Sequence, residues 1–97
     1  MADLLSEDQI DAAVKGDLHE WKVEGKELVR AVECATFLGG IRLVATVAQL
    51  AEAMNHHPDI DIRWTTITFR LSTHVAGGLT KYDLELAHRI DAAIAAR

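Results

Sequence analysis

Three histidines carry the chemistry this sequence can offer: His56 and His57, adjacent and followed by Pro58, and His74, preceded by Thr73. All three fall at the ends of expected elements, unlike His19 and His88, which read as surface or structural residues. Neutral imidazoles suit a reaction that moves two protons near neutral pH, because an unperturbed histidine has a pKa of about 6.5 and serves as acid or base. Three imidazoles are also a minimal zinc set. The spacing argues against metal, since ligand pairs usually come one turn apart on a helix or two apart on a strand, and adjacent His56 and His57 diverge in both geometries. No metal ligand is therefore assigned. A plain helix stop explains the same residues, with histidine favoured at a helix C-terminus and proline as punctuation. Spacing alone leaves proton transfer and helix stop level.

Those imidazoles need elements to position them. Thr36 can cap a long helix in which Phe37, Ile41, Val44, Val47, Ala48, Ala51 and Met54 recur at three- and four-residue intervals, a face built for burial. Pro58 stops it, because proline supplies no backbone N–H and biases His57 away from helical dihedrals. His56 and His57 thus stand at the helix exit. From Ile60 to Thr73 the chain is rich in Ile, Thr, Trp and Phe, as strands are. The alternation changes parity between Ile62/Trp64 and Ile67/Phe69/Leu71, so a tight turn or a bulge is expected near Thr65-Thr66. If Leu71 and Thr73 point to the core, His74 points to the other face of the sheet, and only the connection around Pro58 can bring His56 and His57 beside it.

The flanking segments complete the order. Ser6 caps a short helix with Gln9 placed for a capping box, Leu5 stapled onto Ile10, and Ile10, Ala13 and Val14 as its inner stripe; Gly16 and Asp17 end it. Trp21-Lys22-Val23 and Leu28 to Cys34 flank Glu24-Gly25-Lys26 in the form of a hairpin. Gly77-Gly78 ends the strand region, and Thr80 with Asp83 caps a last helix carrying Leu84, Ala87, Ile90 and Ile94 inward. Helix, hairpin, helix, strands, helix favours an α+β domain, an antiparallel sheet with helices on one face, over a parallel sheet.

Composition bounds the function classes. With 97 residues, 49% of them hydrophobic and 26% charged, a single domain over residues 1–97 is expected. A domain this small buries only about 60 to 65% of its unfolded surface, so a second copy would add useful burial. The net charge of −5 and scattered Lys and Arg leave no footprint for a phosphate backbone, so no direct nucleic-acid binding is expected. The start, Met1 to Asp8, is acidic where a signal peptide needs a basic segment, and no apolar run is expected to span a membrane; the expected location is cytoplasmic. Cys34 is the one cysteine, which excludes an internal disulfide and reads as a core side chain.

The stretch Ala51-Glu52-Ala53-Met54-Asn55-His56-His57-Pro58, followed by Leu71-Ser72-Thr73-His74 and then Gly78-Leu79-Thr80-Lys81-Tyr82-Asp83-Leu84-Glu85-Leu86-Ala87, resembles the pterin-4a-carbinolamine dehydratase pattern. Trp21, Gly25 and the helix from Phe37 fall where that family also has a tryptophan, a hairpin and a long helix, so the resemblance spans roughly residues 5 to 95. It implies a four-stranded antiparallel sheet with helices on one side, dimers or tetramers, and dehydration of a 4a-hydroxytetrahydropterin to quinonoid dihydropterin without metal or organic cofactor. By position in the pattern it assigns His56 and His74 to proton transfer and His57 chiefly to binding, with Asn55, Ser72, Thr73 and Val75 beside the pterin. Glu52, one turn before His56, is a candidate to orient an imidazole, although a solvated helix glutamate explains it as well. Val75 stands where some relatives carry a polar residue, and Trp64 where tyrosine is more usual; packing is the default reading of Trp64. Asp83 matches a family position, and capping the last helix accounts for it. The runner-up function implied by the resemblance is a binding module: some animal relatives stabilise a homeodomain transcription factor dimer, and some plant and bacterial relatives act in carboxylase assembly. An exposed face of the helix from Phe37 to Met54 would serve such a protein partner.

Overall fold

The computed structural model describes residues 2–97, so Met1 of the acidic start lies outside the described residues. The elements follow in the order α1 (Glu7–Lys15), β1 (Lys22–Glu24), β2 (Glu27–Glu33), α2 (Phe37–Met54), β3 (Asp59–Arg63), β4 (Thr66–Leu71), a 3-10 turn (His74–Ala76) and α3 (Lys81–Ala95). The strands form one antiparallel sheet in the order β1-β2-β4-β3, which makes β1 and β3 its edges. This is the expected α+β arrangement.

Local chemistry sets the element ends. Ser6 and Gln9 close a reciprocal capping box on α1, and Thr80 and Asp83 close another on α3. The Thr36 side chain accepts the Gly39 N–H at the start of α2. Gly25, at φ 60°, turns β1 into β2, as a two-residue hairpin requires. The parity break between β3 and β4 is a tight turn, not a bulge: Arg63 pairs with Thr66, leaving Trp64 and Thr65 as a two-residue loop.

Alternation places Leu28 and Val32 of β2 on the same face as Ile67, Phe69 and Leu71 of β4. These five are buried and meet Leu43 and Val47 of α2 and Leu86, Ala87, Ile90 and Ile94 of α3, with Leu18, Trp21 and Leu79 closing the edges. Leu5, Ile10, Ala13 and Val14 pack α1 against this cluster, and Cys34 is buried within it, as expected. The buried side of α3 also includes Leu86, while Leu84 is only partly buried, because the helix turns slightly from the expected phase.

The expected stripe of α2 needs a larger correction. Its buried positions are Gly40, Leu43, Val47 and Ala51, whereas Phe37 is 51% exposed and Ala48 is exposed. Arg42, Thr46, Gln49 and Glu52 line the opposite face, so the buried stripe is offset by part of a turn from the one expected through Phe37 and Ala48. Gly40 lies on the buried face close against β4: a Cβ there would lie 3.1 Å from Ile67 Cδ1, tighter than an ordinary contact. By length and composition α2 is also long and apolar enough to cross a membrane, with 18 residues and mean hydropathy 1.3, contrary to the expectation that no run would qualify. Its inner stripe lies against β4 and α3.

Candidate active site

The exit of α2 separates its two histidines. Asn55 closes the helix in the left-handed region, φ 50°, and donates its N–H to the Ala51 and Glu52 carbonyls. The chain direction reverses there, and His56 turns inward with 14% of its side chain exposed, while His57 turns outward with 53% exposed. Pro58 then leads directly into β3.

His56 is held by the first turn of α3. Its Nε2 lies 2.6 Å from Asp83 Oδ1, and Asp83 is fully buried. The other carboxylate oxygen accepts the Thr80 backbone N–H at 2.8 Å and the Thr73 hydroxyl at 2.7 Å. Thr73 has one hydroxyl proton and gives it to Asp83, so the 2.8 Å contact between Thr73 and Thr80 oxygens runs from Thr80 to Thr73. With Asp83 as a carboxylate, acceptor only, the proton of the imidazole contact sits on His56 Nε2, which in the neutral imidazole leaves Nδ1 as the unprotonated nitrogen. Sequence reasoning assigned Asp83 to capping alone. Capping occupies one oxygen and leaves the other for His56, a second task that helix-end chemistry does not reveal. The one signal was aspartate where a capping box usually carries Glu or Gln.

Glu52 does pair with an imidazole, but with Nε2 of His57 and not with the nearer-seeming His56. Both partners are more than half exposed. His74 opens the 3-10 turn, whose Thr73 N–H donates to the Gly78 carbonyl at 2.9 Å and whose Gly77, at φ 80°, returns an N–H to Thr73. That closed loop holds the His74 imidazole out of the core and exposed. Ser72 donates its hydroxyl to the Lys26 carbonyl, tying the loop to the β1–β2 hairpin.

Asn55, His56, His57, Ser72, Thr73, His74 and Val75 line one shallow depression of about 260 Å³. The convergence expected around Pro58 is thus what the fold produces. Val75 adds an apolar rim that is 86% exposed. Trp64 lies elsewhere: it sits in the β3–β4 turn at φ 50° and is 79% exposed, outside the core of the described residues, so the default packing reading does not hold. A larger groove of about 410 Å³ runs between α2 and the end of α3, beside Arg42, Leu43 and Arg97. No imidazole or carboxylate side chain lines it, so size alone does not mark the candidate site. Among the described residues, no group of three or more His, Cys, Asp or Glu side chains is placed to hold a metal ion. His56 and His57 each turn Nε2 to a separate carboxylate.

The depression therefore presents one partly buried, clamped imidazole and two exposed ones around a mouth open to a small molecule, a set able to give and take protons on a flat polar ring. The family model for pterin 4 alpha carbinolamine dehydratase matches residues 3–93. A protein of Mycobacteroides abscessus, provisionally named a pterin-4-alpha-carbinolamine dehydratase, is 55% identical over 91 residues, 94% of this chain and 96% of that one. A protein of Mycobacterium tuberculosis H37Rv with the same provisional name is 51% identical over 92% of this chain and 94% of its own. Among solved structures, a transcriptional coactivator/pterin dehydratase from Brucella melitensis superposes with a TM-score of 0.86 at 26% identity, covering 94% of this chain and 98% of that one. A pterin dehydratase-like RuBisCO assembly factor of the alpha-carboxysome shares the fold, with a TM-score of 0.66 at 23% identity over 77% of this chain and 89% of its own. On the match over nearly its whole length, the chain belongs to the pterin-4a-carbinolamine dehydratase family.

Proposed function

We propose that this protein removes water from 4a-hydroxytetrahydropterins, giving quinonoid dihydropterins, by proton transfer between histidines. The reaction breaks the C4a–O bond and forms a C4a=N5 double bond; a proton goes to the departing hydroxyl and another leaves N5. An acid and a base must therefore flank the C4a–N5 bond. The observation that carries the reading is the clamp on His56, whose Nε2 proton is committed to the buried Asp83. His56 is then left with a free Nδ1 lone pair, the form a base at N5 needs. His74, exposed and without a carboxylate partner among the described residues, takes the part of the acid at the 4a-hydroxyl. His57, steadied by Glu52, binds and orients the ring with Asn55, Ser72, Thr73 and Val75.

The test follows the ultraviolet absorbance of freshly generated 4a-hydroxytetrahydropterin with wild-type protein, with His74→Ala and with no protein. Acceleration by the wild type, reduced on the order of 10²-fold or more in the variant, is the expected result. A second reading, a protein-binding role, is favoured by one observation: Phe37 and Leu38 at the start of α2 are 51% and 56% exposed. Absence of any acceleration by well-folded protein would overturn the dehydratase reading and leave that one standing.

A further inference from the structure

His56 stands between two openings. Beyond the depression already described lies a second of about 260 Å³, lined by Met54, Asn55, His56 and Tyr82. Asn55 and His56 are the residues common to both. Pockets that hold small organic ligands usually measure about 300–1,000 Å³. Either depression alone falls short of that range, and the two together reach it.

The chemistry of the substrate says what lies on each side. In a 4a-hydroxytetrahydropterin, N5 is bonded to C4a and to C6, and C6 carries the ring's side chain. The group that withdraws the N5 proton is therefore a neighbour of that side chain. With His56 at N5, the side chain starts beside the imidazole that divides the two depressions. The far side is suited to receive it. Tyr82, in the first turn of α3, has its ring centroid 6.0 Å from that of His56, tilted by 43°, with Lys81 Nζ 5.5 Å from the ring. Neither the Tyr82 phenol nor the Asn55 amide has a side-chain hydrogen-bond partner among the described residues, while Met54 packs partly buried as an apolar wall. Two free polar groups beside one thioether match a short hydroxylated carbon chain.

We propose that the second depression is the side-chain subsite, and that Tyr82, with Asn55, selects pterins carrying a polar substituent at C6. The inference rests on the dehydratase reading above. Its test compares two freshly generated 4a-hydroxytetrahydropterins, one with a methyl and one with a dihydroxypropyl group at C6, on wild-type protein, Tyr82→Ala and Tyr82→Phe. Tyr82→Ala is expected to raise KM for the dihydroxypropyl substrate about tenfold and to leave the methyl substrate within about twofold. Tyr82→Phe, which keeps the ring and the fold, is expected to show the hydroxyl's share of that loss on the dihydroxypropyl substrate alone. Acceleration by the wild type with equal effects on both substrates, or none, would overturn the subsite and spare the dehydratase reading. No acceleration of either substrate by folded wild-type protein would overturn both.

Discussion

Two aspartates on α3 hold the chain together in different ways. Asp83, in the first turn, binds His56, Thr73 and the helix's own Thr80. Asp91, two turns later, accepts Trp21 Nε1–H at 2.8 Å and the Arg30 guanidinium at 2.5 Å, fastening α3 to β2. Arginine stays protonated at any pH a protein meets, so the Asp91 contact is a fixed tie. Histidine can exchange its proton near neutrality, so the Asp83 contact both holds a ring and fixes which nitrogen of the neutral imidazole carries the proton. The residue type and the helix are the same, although Asp83 is fully buried and Asp91 keeps 23% of its side chain exposed. What separates structure from chemistry is the partner's capacity to change charge.

The comparison can be broken most directly at Asp83. Asp83→Asn keeps the shape but offers an amide where a carboxylate held the Nε2 proton; a fall in kcat on the order of 10²-fold is expected, with far-ultraviolet circular dichroism unchanged. An unchanged kcat would reduce Asp83 to a cap. At Asp91 the opposite split is expected. Arg30→Ala leaves a half-buried carboxylate with only the indole as partner, and since both groups retain some exposure, 17% and 23%, the loss is about 1–2 kcal/mol of stability by denaturant melt. The catalytic rate per folded molecule should not move.

A third acid sharpens the contrast. Glu33, at the end of β2, receives only hydroxyl donors, Thr65 and then Thr66, and these hold its pKa below the usual glutamate range. A lowered carboxylate stabilises the folded state above its unfolded pKa, and that contribution is lost as pH falls through the lower folded value. The expected effect is small, since the group is exposed. In Thr65→Val/Thr66→Val, melting temperature should fall less steeply with acidification over the range below the ordinary glutamate pKa; an identical pH profile would show that the two hydroxyls do not act on Glu33.

Much of the frame was legible because it is local. Ser6/Gln9, Thr36 and Thr80/Asp83 each satisfy backbone groups within three residues, so the helix starts could be read from types and spacing. The Gly25 hairpin and the parity break before Ile67 have the same character. The three histidines were legible as a set, since residues at element ends on neighbouring elements have few other places to be. Other features depended on contacts between distant segments. The polar stripe of Arg42, Thr46, Gln49 and Glu52 marks the outer face of α2, but the close approach of Gly40 to Ile67, 27 positions later, leaves no local signal. Trp64 was read by default as packing, but it belongs to a two-residue turn and is 79% exposed.

The sequence by itself therefore determined the order of elements and their caps and turns, and named candidates for proton transfer, because these depend on residue types and interactions a few residues long. Only the tertiary structure decided how those candidates are arranged. It gave Asp83 to His56, and it placed Tyr82 beside the same ring. A side chain's partner is set by which surfaces fold against each other, and no spacing along the chain encodes a contact 27 residues away.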